Sequence, residues 1–171
     1  MEISHKRDVK ISLKSQFTTV AENAKLRVIC GPMFSGKTKT LIRVIKEYAD
    51  ANRRIQVFKP GLDNRYAEEQ VVSHDKESIN AIAIKNPSEM YDFQDEIDVF
   101  AIDEAQFFSD EIVEVCQNLA LKEKIVIISG LDLDFKTRPF GAMPQLLSIA
   151  DEIIKLNSVC TFCSGHARFS Y

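Results

Sequence analysis

The sequence predicts an α/β fold in which a parallel sheet is sandwiched between helices. Apolar runs of four to six residues alternate with longer segments of helical period. The runs carry apolar residues at successive positions and not only at every second one, as in strands covered on both faces. A glycine-bracketed loop stands between the first run and the first helix. With 171 residues, 45% apolar and 27% charged, the chain suits one globular domain with a small appendage.

Strands are expected at 26–30 (LRVIC), 55–59 (IQVFK), 81–84 (AIAI), 99–103 (VFAID), 124–129 (KIVIIS) and 152–156 (EIIKL). A helix follows Lys37, where Leu41, Val44, Ile45, Tyr48 and Ala49 recur on one face and an Arg pair stands at the end favoured by cations. Ser109 is placed to cap a second helix, with Asp110 and Glu111 in its first turn and Ile112, Val115, Cys116 and Leu119 on its apolar stripe. A third helix is expected over 144–150 and a short one over 87–91. Residues 1–24 are polar and Lys-rich and read as a tail, although ISHKRDVKISL alternates weakly and leaves an edge strand open. The division is a tail at 1–24, an α/β domain at 25–157 and an appendage at 158–171.

Basic and acidic residues nearly cancel, 22 against 25, so no broad field would draw in nucleic acid or an anionic membrane. No run of about 18 apolar residues offers a membrane span, and no apolar segment behind the N-terminal charges offers a secretory signal. A cytoplasmic protein acting on small molecules is expected. Of the four cysteines, Cys30 and Cys116 lie in apolar contexts where a reduced thiol packs as a small hydrophobe, and only Cys160 and Cys163 have ligand spacing.

Gly31, Pro32, Met33, Phe34, Ser35, Gly36, Lys37 and Thr38 satisfy GxxxxGK[ST] between a buried strand and an amphipathic helix, the context the motif requires. Glycines let backbone N–H groups face phosphate oxygens, and the helix N-terminus adds positive charge. Lys37 is expected to reach the β and γ phosphates, and the Thr38 hydroxyl to hold Mg²⁺. The strand at 99–103 ends in Asp103, where a carboxylate can meet hydrated magnesium. Strand alternation would send the neighbouring Glu104 to the opposite side, free to face an acceptor hydroxyl and take its proton. The competing reading of this DE pair is two solvated charges opening a loop.

GPMFSGKT, LDNRY (62–66), SHD (73–75), DEAQFF (103–108), GLDLDF (130–135) and RPFG (138–141) occur in the order and approximate spacing of the cellular-type (type II) thymidine kinases, which the chain resembles from about Leu26 to its end. The resemblance implies a P-loop NTPase fold of RecA-like type and phosphoryl transfer from Mg·ATP to the 5′-hydroxyl of thymidine, a step of deoxynucleotide salvage feeding DNA synthesis. It implies that Glu104 is the general base and that Asp103, Ala105 and Gln106 border the ATP site. By the same likeness Arg65 contacts phosphate, with Asp63 as a supporting carboxylate. Met33, Phe107, Phe135 and Phe140 would wall the thymine; with 11 Phe in the chain, two of these phenylalanines read equally well as core. A homotetramer inhibited by thymidine triphosphate is also implied.

The family closes a structural Zn²⁺ site with two pairs of Cys or His ligands, separated by a lasso loop that wraps the nucleoside. This chain offers Cys160, Cys163 and a cramped His166, and ends about where that loop is expected to begin. Half of a zinc site is the expectation for CTFC, with a redox pair as the alternative; His166 reads as a surface histidine, and His5 and His74 have no metal partners in sequence. Two other functions stay open at this stage: a P-loop ATPase acting on water or a protein partner, and a nucleotide-binding module without catalysis.

Overall fold

The strand LRVIC becomes β1, Leu26–Cys30, and all five of its residues are buried. It is parallel on one side to β6, Ile125–Gly130, and on the other to β7, Glu152–Lys155, so it is an interior strand. The computed structural model describes residues 24–61, 70–72 and 78–170. Within them a seven-stranded sheet runs in the order β3-β4-β2-β5-β6-β1-β7, where β2 is Ile55–Pro60, β3 is Gln70–Val72, β4 is Ser78–Ile84 and β5 is Val99–Ile102. Six strands are parallel, and β3 joins β4 antiparallel at the edge. One strand, β6, separates β1 from β5. That spacing is the RecA-like form of the P-loop NTPase fold.

Helices cover both faces because the buried runs leave neither face polar. On one face α1, Lys37–Asp50, packs Leu41, Val44 and Ile45 onto Ile29, Val57, Val99 and Ile127. Ile42 is also buried, whereas Ala49 lies in the exposed last turn. On the other face α2, Glu111–Leu121, and α3, Met143–Ile149, cover Val28, Phe100 and Ile128, together with a 3₁₀ turn over Pro87–Phe93. Phe58 and Phe100 stack there with ring centroids 5.8 Å apart. The Arg pair after α1 serves a different end from the helix dipole: Arg54 grips Asp98 through two side-chain hydrogen bonds, of 2.9 and 3.2 Å, and so ties the start of β2 to the start of β5.

Several boundaries differ from expectation. Helix α2 begins at Glu111, preceded by Asp110, and neither Asp110 nor a side chain ahead of it supplies the Ser109-type cap expected from sequence; the first turn is entered through the backbone bond from Ile112 N–H to the Ser109 carbonyl, 3.1 Å. Strand β5 stops at Ile102. The strands β3, β8 (Ser158–Val159) and β9 (His166–Ala167) were not foreseen, being two or three residues long. The last two form a hairpin that makes up the appendage. Of the tail expected at 1–24, residues 1–23 lie outside the described residues, and Ala24 is buried.

Candidate active site

The ends of β1 and β5 meet the start of α1 at the carboxyl edge of the parallel sheet, where crevices form in such folds. After β1 the chain turns through left-handed backbone at Phe34 (φ 60°) and Gly36 (φ 84°) and enters α1, whose first bond runs from Thr40 N–H to the Gly36 carbonyl at 2.9 Å. This wraps backbone amides around one concavity at a helix N-terminus. Lys37 folds back so that its ammonium donates to the Pro32 carbonyl at 2.8 Å. Burial lowers the Lys37 pKa, and the carboxylates of Glu104, Asp103 and Asp132 act against that shift, Glu104 most strongly.

Asp103 is buried beyond the end of β5, and its N–H donates to the Phe58 carbonyl of β2 at 2.9 Å. The Thr38 hydroxyl donates to Asp103 Oδ2 at 3.4 Å, so two hard oxygen donors from separate elements converge. Burial raises the Asp103 carboxyl above its ordinary value, and the neighbouring Glu104 charge adds to the rise.

Glu104 corrects the alternation argument. Its backbone is left-handed (φ 53°, ψ 39°), outside the strand, and opens a 3₁₀ turn over Ala105–Phe107. The two carboxylates therefore do not diverge across a pleat; both act on Lys37. Asp103 is buried and Glu104 exposed, so the two neighbouring acids differ in their access to solvent. Ala105 and Gln106 are buried. The Gln106 amide is held at both ends: Nε2 donates to Glu104 Oε2, and Oε1 accepts from Leu131 N–H at 2.9 Å.

Met33, Phe107 and Phe135 are exposed and Phe140 is half-buried, so none of the phenylalanines assigned to the thymine site is core. Phe107 and Phe140 meet edge to face at 5.4 Å, while Phe135 lies apart with the Lys136 ammonium 5.2 Å from its ring centre. Asp63, Arg65 and His74 lie outside the described residues. Cys160 and Cys163 sit on the β8–β9 hairpin as free thiols. Hydrogen bonds from the Cys163 and Phe162 N–H groups lower the Cys160 pKa and favour the thiolate a metal would need. His166 is exposed on β9 opposite Val159, and among the described residues no three His, Cys, Asp or Glu side chains cluster as a metal cage. No described helix is long and apolar enough to cross a membrane.

Two participants escaped sequence reasoning. Asp132, in GLDLDF, is buried and receives the Lys155 ammonium at 3.0 Å, and its charge reaches both Lys37 and Cys30, whose thiol burial pushes up to about 11. The Ser170 hydroxyl accepts from Met33 N–H at 2.7 Å, bringing the appendage against the phosphate loop. GLDLDF stands among the family-like motifs without a role for Asp132, and nothing in the sequence marks Ser170.

Residues 24–171 match the family described as Thymidine kinase. A thymidine kinase of Bacteroides thetaiotaomicron is 51% identical over 147 residues, covering 86% of this chain and 74% of that protein. One from Porphyromonas gingivalis is 44% identical over 146 residues, covering 85% and 72%. The ATPase DotB of Legionella pneumophila matches 74% of this chain and 34% of its own at 16% identity and a TM-score of 0.45, and the fold rests on strand order instead. On its motifs, its strand order and these matches, the chain belongs to the thymidine kinase family.

Proposed function

We propose that the chain is an ATP-dependent thymidine kinase. Glu104 takes the proton from the thymidine 5′-hydroxyl; that oxygen bonds to the γ-phosphorus of ATP, the bond from the γ-phosphorus to the β–γ bridging oxygen breaks, and ADP leaves with the electron pair. Thymidine monophosphate is the product. The observation that carries this reading is the placement of an exposed carboxylate, Glu104, on the same charged cluster as Lys37 and Asp103. Phosphoryl transfer asks a protein for positioning and charge compensation more than for covalent chemistry, and the loop amides with Lys37 supply both.

The Thr38 and Asp103 oxygens suit Mg²⁺, which takes oxygen ligands and would neutralise charge on the phosphates. Arg65 and Asp63 are proposed to complete the phosphate contacts, and Met33, Phe107, Phe135 and Phe140 to enclose the base, a flat neutral group that aromatic surface can hold. Cys160 and Cys163 are proposed as two of four Zn²⁺ ligands, a thiolate pair chemically suited to that ion. A cytoplasmic homotetramer serving deoxynucleotide salvage, without nucleic acid as a partner, extends the family reading.

ADP release from Mg·ATP with and without thymidine tests the proposal. Release only with thymidine is expected; equal release without it would instead make the chain an ATPase. Glu104→Gln should slow transfer by about 10²- to 10⁴-fold while leaving ATP affinity within about twofold.

A further inference from the structure

We propose that Gln106 is a positioning residue for Glu104, holding the carboxylate in place through a bridge to the end of β6. This rests on the reading of Glu104 as the base. An exposed glutamate has several rotatable bonds, and catalysis needs its oxygen within hydrogen-bond reach of one proton. Left-handed backbone aims Glu104 but does not fix its side chain. Gln106, 3% exposed and two residues on, supplies the restraint: its Nε2 donates to Glu104 Oε2.

The amide cannot turn around. Its Oε1 accepts from Leu131 N–H, a donor only, so the nitrogen must face the carboxylate. Two glycines make room for this side chain and its backbone. A Cβ on Gly130 would stand 2.8 Å from Gln106 Oε1 and 2.7 Å from Met143 Sδ. At Gly141, φ is +50° and a Cβ would stand 2.3 Å from the Gln106 carbonyl oxygen. Gln106 is thus clamped by the strand end and by the loop that carries Phe140, whose ring meets Phe107 from the same 3₁₀ turn. The base and part of the proposed thymine wall share one rigid support.

The test is a double-mutant cycle on the full chain with Gln106→Met, which keeps the length and loses both hydrogen bonds, and Glu104→Gln. Gln106→Met is expected to lower kcat by about 10- to 100-fold with KM for ATP and thymidine within about threefold. In the Glu104→Gln background the same change is expected to cost less than about threefold, because a base that is gone needs no positioning. Gln106→Glu retains the acceptor for Leu131 but buries a carboxylate against Glu104; it should be slow at pH 8 and unfold at a lower temperature there than at pH 5, where the pair can share a proton. Equal fold-losses from Gln106→Met in both backgrounds would overturn the proposal and mark Gln106 as a general structural residue. An unchanged kcat in Gln106→Met, with Glu104→Gln inactive, would overturn it while leaving the base intact. An active Glu104→Gln would instead sink the reading of the base itself.

Discussion

Asp103 shows what burying a carboxylate costs the fold. Burial raises its carboxyl above the ordinary value of 3.8 because the ionised form loses water. A group with a raised folded-state pKa favours folding while protonated; that contribution is complete below the unfolded-state value and disappears as pH rises through the folded one. At neutral pH its ionisation therefore works against the nucleotide-free protein. Asp103→Asn should raise Tm at pH 7 to 8, with the gain shrinking toward pH 3.5, and should lower activity by at least about 100-fold through loss of the anionic ligand proposed for Mg²⁺. A Tm that falls at pH 8 would contradict the argument. Identity of the acids was legible from VFAIDEAQFF; burial of one and exposure of the other was not, since both are carboxylates next to each other in sequence.

Among elements, β1 and β7 carry the least expected feature. Arg27 is 2% exposed in the middle of an apolar strand, its Nε donates to Glu152 on β7, and its Nη1 and Nη2 are buried without hydrogen-bond partners. The register places Arg27 directly opposite Glu152, which explains why a strand read as purely apolar accepts a cation. Removing the acid strands the charge. Glu152→Ala should cost about 3 kcal/mol in urea unfolding, whereas Arg27→Met should be neutral or stabilising, since a buried ion pair replaced by packed apolar atoms loses little. If the two variants lost the same stability, attraction within the pair would outweigh the burial of its cation. Strand and helix positions were readable because apolar period reports burial directly. The short strands β3, β8 and β9 were not, because two or three residues give no period to read.

At the scale of the molecule, the α/β domain and the appendage differ in how they are held. Strands β1, β5 and β6 are buried between helical layers, while β8 and β9 pair through two residues each and leave Val159, Phe162 and Phe169 exposed. Amides of the β8–β9 hairpin, such as Cys160 N–H bonded in its turn to the Gly165 carbonyl, should exchange with deuterium through local opening at least about 100-fold faster than those of β1 and β6. Added Zn²⁺ should slow the hairpin amides selectively if the two thiols hold it with further ligands. Equal protection throughout would mean that the appendage opens only with the whole fold.

Residue types and their order were enough for the alternation of strand and helix, the phosphate loop and the family likeness, because each is written locally. Strand order, the burial of Arg27 against Glu152, and the bridge from Glu104 through Gln106 to Leu131 came only with tertiary structure. Backbone groups that pair strands are common to every residue, and contacts spanning 25 or 125 positions leave no periodic trace along the chain.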